Sequence, residues 1–502
     1  MTPDHAAQLA ALPALEQRRL IGSRQLSPVD LLQAHIAQMQ AYNPAVNALC
    51  ATDFDRALTA ARQAEDQVMR GGPLPLLHGL PVGVKDLDET AGLLTTYGNI
   101  GFTRHVPTHD CVLVQRLRQA GALIAAKTNT PDMGAGANTR NAVWGATGNP
   151  FDPSRNAGGS SGGSAVALSL DMLPLCTGSD VGGSLRIPAA LCGIVGYRPS
   201  PGVVASDSRA LGFNPLPVLG PMARSVGDLA LMLAAIAGPH PADPLSHPLD
   251  TRPLQPLAPA DLSRLRVGFT EDFGCCLVDE DIRAGFRARV AAIAPLFAAC
   301  EPLDIAVGDA DQAFDVLRAE GFLAAHDHTL RRAPESLGPN VRANLQLASR
   351  FTLADRAQAH AIQTRLQRAF AQAGERYDLI LSPVTPVSPF PWTTLYAEQV
   401  QGQPTRHYYH WLALTYVVTL STHPALSLPC GADAAGFPFG LQLVGRHHGD
   451  VALLQAALAL EAATAGQPGL GRVRPDRSRL LQPQPALRSL ITHPAVMPAL
   501  MG

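Results

Sequence analysis

The sequence predicts an α/β protein with a mixed or largely parallel sheet. Two observations carry this expectation. Segments with helical periodicity alternate with short apolar runs along most of the chain. Two glycine–serine clusters, Gly158-Gly159-Ser160-Ser161-Gly162-Gly163-Ser164 and Gly178-Ser179-Asp180-Val181-Gly182-Gly183-Ser184, flank an apolar segment, as two loops at one end of a sheet would. Glycine is most useful where backbone approaches a ligand or takes a positive φ. A flexible linker has the same composition, but Arg-Ile-Pro-Ala-Ala-Leu-Cys-Gly-Ile-Val-Gly follows the second cluster and has the character of packed interior.

The elements follow in order. Ser27 as N-cap and Pro28 at the first helical position open a helix that carries Leu32, Ile36 and Met39 at helical spacing. A second helix spans 55–69. Val82 and Val84 mark a strand with Lys85 at its end. A helix over 111–119 stops at Gly121, and a strand over 122–126 leads into Lys127-Thr128-Asn129. The alternation continues through 165–170, 173–176 and 194–197, and Ser225 caps a helix over 229–237. Residues 238–259, rich in Pro, Asp and His, are expected to be a surface excursion. A strand at 265–270 and a helix at 281–297 come next. Residues 313–373 are mostly helical, and are expected to form one wall of a pocket. Strands at 377–382, 426–429 and 440–444 and a helix at 451–463 close the pattern. The segments are thus 1–70, helical; 71–310, with the glycine–serine clusters; 311–376, a helical pocket wall; 377–465, the returning sheet and closing helix; and 466–502, an irregular extension.

With 502 residues, the chain can bury a large core in one to three domains. At 46% hydrophobic and 16% charged it has a soluble composition. A formal charge of -2 gives no support for a nucleic-acid or anionic-membrane surface, and neither is expected as a partner. No apolar run reaches the ~18 residues of a membrane span, and no basic n-region leads an apolar stretch as a secretory signal requires. Eight scattered cysteines, adjacent only at Cys275-Cys276, suggest neither a disulfide framework nor a zinc site. Cys176 and Cys192 are expected to be packed core thiols. A cytoplasmic enzyme is the expectation, with a homodimer as an open possibility.

Of the 39 basic side chains only Lys85 and Lys127 are lysine. An amine can lose its proton where a guanidinium cannot, which makes a strand-end lysine beside an apolar wall a candidate base. Asp86 next to it is either its counter-ion or a partner of the backbone. The glycine–serine residues also admit other chemistry. Gly158-Gly159-Ser160-Ser161-Gly162 satisfies G-x-S-x-G, which would make Ser160 the nucleophile of an α/β-hydrolase esterase. Neither cluster has the Gly-Lys-Ser/Thr of a P-loop. Phe390, Trp392, Tyr396, Tyr408, Tyr409, Trp411 and Tyr416 fall close together and, as a group, are candidates to line an apolar substrate channel.

Lys85 in PVGVKD, GGSSGGS at 158–164 and GSDVGGSLRIPA at 178–189 together resemble the signature of the amidase signature family. The likeness runs from about residue 20 to 465 and departs at Tyr197-Arg198-Pro199, where the family often has lysine. It implies one large domain with a central mixed sheet covered by helices on both faces. It implies a carboxamide-cleaving enzyme in which Ser184 is the nucleophile and Ser160, after a cis peptide from Gly159, links Ser184 to neutral Lys85. The oxyanion would sit on the N–H groups of Val181, Gly182, Gly183 and Ser184. Asp180 and Arg186 would organise the loop, with Asn129 and Ser161 hydrogen-bonding in the same site. The resemblance implies no metal or organic cofactor and a small-molecule amide as substrate, with medium-sized apolar or aryl amides suggested by the aromatic group. Within the family, a glutaminase subunit of an aminoacyl-tRNA amidotransferase is the alternative.

Overall fold

In the computed structural model, which describes residues 2–497, a single mixed sheet of eleven strands organises those residues. In chain order these are β1 (Leu49–Thr52), β2 (Pro81–Lys85), β3 (Leu123–Thr128), β4 (Leu175–Asp180), β5 (Val195–Arg198), β6 (Val218–Ala223), β7 (Arg266–Phe269), β8 (Ala299–Pro302), β9 (Leu379–Pro383), β10 (Ala425–Ala432) and β11 (Pro438–Val444). They lie side by side as β1-β3-β2-β4-β6-β5-β10-β11-β9-β7-β8. At one end β3, β2 and β4 run parallel. At the other, β9, β7 and β8 do so. Antiparallel pairs join the two halves through β6, β5, β10 and β11.

Helices cover both faces, because successive side chains of a strand point to opposite sides. In β4, Leu175 packs into an apolar cluster with the Val226–Ile236 helix. Its neighbour Cys176 packs on the opposite side with the Gly162–Ser169 helix. Every residue of β2 and of β11 is buried, as strands covered on two sides must be.

β6 has no counterpart in the sequence expectations. Its sequence, Val-Leu-Gly-Pro-Met-Ala, holds Gly and Pro in mid-strand, where they ordinarily argue against one. Gly220 is required there: a Cβ would stand 2.3 Å from the carbonyl oxygen of Tyr197. Residues 1–70 are four helices together with β1, so this segment also supplies an edge of the sheet. Residues 311–376 fall in the helices Ala310–Arg332, Pro339–Ala348 and Leu353–Arg376 with a short 3-10 turn between the first two. In the C-terminal segment, Leu487 is buried against Trp392 and Ala146. Met1 and residues 498–502, at the outer ends of the first and last segments, lie outside the described residues. Among the described residues no helix is long and apolar enough to cross a membrane.

Candidate active site

β2 lies between β3 and β4 and ends in Lys85, whose side chain is fully buried. Its Nζ lies 2.7 Å from Ser160 Oγ, 2.9 Å from Ser161 Oγ and 2.9 Å from Ser179 Oγ. Ser160 and Ser161 belong to the loop before the Gly162–Ser169 helix, and Ser179 to β4, so both glycine–serine clusters converge on one amine. The Gly159–Ser160 peptide bond is cis. Burial lowers the Lys85 pKa to about 7, against the opposing pull of the Asp88 and Asp180 carboxylates. A neutral amine offers two N–H donors and one lone pair. As an ammonium, Nζ donates to all three hydroxyls; once it has lost a proton, one of the three must instead donate to nitrogen.

Asp88 and Ser179 are not among the residues the sequence singles out. Thr177 Oγ1 donates to Asp88 Oδ2 at 3.1 Å and accepts the Lys85 backbone N–H at 2.8 Å. Two-residue alternation in β4, Thr177 then Ser179, puts both on the side facing Lys85. Asp86 is settled as a partner of neighbouring backbone: its carboxylate accepts from the backbone N–H and hydroxyl of Thr96. Lys127 is buried as well, and its amine donates to the Asp88 carbonyl and to Thr90 Oγ1, not to a serine.

Ser184 sits in the loop after β4. Asp180, at the end of that strand, organises the loop. Its carboxylate accepts from Arg186 Nε and Nη2 at 3.1 and 2.9 Å and lies 3.3 Å from Arg198 Nη1, all three side chains being buried. Burial alone would raise the Asp180 pKa; the two guanidiniums instead hold it well below the usual carboxylate range. Arg198 thus stands beside Asp180 in the interior. Arg186 also donates to the carbonyl of Thr415, to Gln442 Oε1 and to Thr419 Oγ1.

The same carboxylate accepts the N–H of Gly183 at 2.9 Å and that of Leu185 at 3.2 Å. This corrects the expected four-donor oxyanion set, because the Gly183 amide is already engaged. The N–H groups of Val181, Gly182 and Ser184 donate to no protein acceptor among the described residues. Gly183 has φ +117°, and a Cβ on it would meet Thr415 Oγ1 at 2.3 Å. Thr415 Oγ1 lies 2.6 Å from the Gly182 carbonyl oxygen and holds that peptide plane.

Ser184 and Ser160 line one cavity of about 270 Å³. Their hydroxyls share no hydrogen bond here; the contact between the two loops is the Ser161 N–H on the Ser184 carbonyl oxygen at 3.3 Å. Asn129 lies outside this constellation: its side chain bonds Thr147, Asn141 and the Thr130 N–H. The esterase alternative is also corrected, since Ser160 meets a lysine amine and no histidine.

The cavity wall draws on the Ala310–Arg332 helix, through residues such as Leu317 and Phe322, and on the 206–219 stretch, through Leu211 and Leu216. None of the seven clustered aromatic residues lines it. Trp392, Tyr408, Tyr409, Trp411 and Tyr416 are buried in the core, where large rings find most contact. The expected aromatic substrate channel therefore does not form at this cavity.

A cis Gly-Ser peptide, a buried lysine ringed by serines and a glycine loop braced by an Asp–Arg pair are set on this eleven-stranded sheet. The family model described as Amidase matches residues 30–454, and the chain belongs to the amidase signature family. An acylamidase of Rhodococcus erythropolis is 33% identical over 90% of this chain and 95% of its own. A glutamyl-tRNA(Gln) amidotransferase subunit from a Picosynechococcus species is also 33% identical, over 91% and 98%. Among solved structures, a bacterial aryl acylamidase of the same family superposes with a TM-score of 0.84 at 26% identity, covering 91% of this chain and 99% of that one. The protein is an amidohydrolase by family.

Proposed function

We propose that the protein cleaves the C–N bond of a carboxamide through an acyl-enzyme on Ser184. The observation that carries this is the neutral-leaning Lys85 amine at hydrogen-bond distance from Ser160, in a cavity that also holds Ser184. Lys85 accepts the Ser160 proton as Ser160 takes that of Ser184, and the Ser184 oxygen bonds to the amide carbon. Catalytic contacts often tighten only around bound substrate, and substrate binding closes the Ser160–Ser184 gap. The carbonyl oxygen takes up the negative charge and is met by the free N–H groups of Val181, Gly182 and Ser184. Breakdown of the tetrahedral adduct breaks C–N; the proton returns through Ser160 to the leaving nitrogen. Water then enters by the same relay and releases the carboxylate.

The substrate in this reading is a medium-sized linear amide with an apolar body, which suits walls such as Leu87, Met133, Leu211 and Leu317. Eight free thiols fit a reducing, cytoplasmic setting. A panel of aliphatic, aryl and amino-acid amides, followed by release of carboxylate, tests it. Inertness toward all of them contradicts it.

The amidotransferase relative favours one second reading, glutamine-dependent ammonia supply to a partner. A formal charge of -2 lends no support to a tRNA-binding role. Ammonia release from glutamine, with and without added amidotransferase partner proteins, separates the two.

A further inference from the structure

One charged group on the cavity wall has no counter-ion among the described residues. Arg318, on the Ala310–Arg332 helix, is 7% exposed and lines the cavity that holds Ser160 and Ser184. One of its nitrogens, Nη2, donates to the hydroxyl of Tyr408 at 2.6 Å. Its Nε has no partner, and no carboxylate lies within salt-bridge distance of it among the described residues. Asp315, one turn earlier, is taken: its Oδ1 accepts from the Tyr409 hydroxyl at 2.7 Å and lies 2.9 Å from His410 Nε2.

Aromatic rings position the guanidinium. Its central carbon lies 4.8 Å from the Phe322 ring centroid, 5.4 Å from that of Tyr408 and 5.2 Å from that of Tyr409. Ring faces attract a cation but accept few hydrogen bonds, and a buried charge left without acceptors is costly. The second arginine of the wall, Arg209, differs in having Asp243 at 2.7 Å. Asp88, the one carboxylate on the wall, belongs to the Lys85 network. The cavity thus joins an acyl-transfer apparatus to an unpaired guanidinium.

We propose that Arg318 binds a carboxylate of the substrate, so that the amides cleaved are anionic and carry that group away from the scissile C–N bond. The proposal rests on the amide-hydrolase reading above. The carboxylate can belong to the acyl half, as in the monoamide of a dicarboxylic acid, or to the amine half, as in an N-acyl amino acid. Guanidinium and carboxylate pair through two parallel N–H···O bonds, and Arg318 has nitrogens free for this.

The test uses matched pairs from both series, each acid set against an analogue with an isopropyl group in place of the carboxylate. The ratio of kcat/KM within a pair is measured in one preparation, so a misfolded fraction cancels. Wild-type protein is expected to favour the acid by roughly 10- to 100-fold in one series, chiefly through KM, the worth of a charge-assisted hydrogen bond. Arg318→Met is expected to bring that ratio to within about threefold of unity, and Arg318→Lys to keep part of the preference. The series showing the preference identifies the half that bears the carboxylate. Hydrolysis of neutral members with no preference for the acids, or a preference unchanged in Arg318→Met, overturns the proposal and leaves the amide-hydrolase reading standing. Hydrolysis of no amide overturns both.

Discussion

The backbone N–H of Gly183 donates to Asp180 Oδ1 at 2.9 Å, which commits an amide of the glycine loop to structure rather than to the substrate oxygen. Asp180 also pairs with both Arg186 and Arg198 in the interior. Asp180→Ala leaves two buried guanidiniums without their carboxylate, and breaking such a pair from one side costs about 3–5 kcal/mol. Urea unfolding of the variant is expected to show that loss; a difference below about 1 kcal/mol, the worth of an exposed pair, would contradict this role for Asp180.

Thr415 reaches the same loop from the other side, its hydroxyl 2.6 Å from the Gly182 carbonyl oxygen. Thr415→Val removes that hold on a peptide plane next to the free amides. The expected outcome is a kcat lowered about tenfold or more with KM little changed, since loosened oxyanion donors cost transition-state stabilisation. A thermal melt run alongside separates this from unfolding.

Gly183→Ala tests the loop geometry by itself. The added methyl would stand 2.3 Å from Thr415 Oγ1 at a φ of +117°. A non-glycine residue held in such a conformation costs roughly 1–3 kcal/mol before any clash is counted. The melting temperature is expected to fall, and activity to fall further than stability, because Val181, Gly182 and Ser184 move with the distorted backbone.

Lys85 sets two pH dependences. Its folded-state pKa is about 7 against an ordinary 10.5. The proton relay needs the neutral amine, so kcat/KM is expected to rise with pH through about 7 and to level above it. Stability follows the same protons. Between pH 7 and about 10 the unfolded chain holds a proton on Lys85 that the folded chain has released, so stability rises with pH there, by up to about 1.4 kcal/mol per unit from this group. In Lys85→Met that contribution to the slope is expected to vanish from denaturant titrations, along with turnover.

Much of the site is legible in the sequence because its chemistry is local in the chain. The two glycine–serine clusters supply Ser160, Ser161 and Ser179 to the amine and Asp180 to the loop, and the scarcity of lysine singles out Lys85. What stays hidden depends on contacts between distant segments. Asp88 is near Lys85 in the chain, but the Thr177 hydroxyl that ties its carboxylate to the Lys85 N–H comes from the paired strand β4. Thr415 meets the glycine loop from more than 200 positions away. Asn129, which enters the expected site only through the family resemblance, turns its side chain into a network with Asn141 and Thr147. β6 is hidden by its own Gly-Pro pair: pairing with β4 and β5 makes it a strand, and Gly220 leaves room for the Tyr197 carbonyl beside it. The aromatic group is visible, but proximity in the chain does not distinguish a core from a channel wall.

The central claim, an acyl-enzyme on Ser184 armed by Lys85 through Ser160, is tested most directly by trapping it. Cleavage after arginine releases residues 156–186 as one peptide carrying both Ser160 and Ser184, so fragmentation mass spectrometry after brief exposure to an activated acyl donor can localise the adduct. The acyl mass is expected on Ser184, abolished in Ser184→Ala and strongly slowed in Lys85→Ala. An adduct on Ser160, or full labelling of Ser184→Ala, would contradict it.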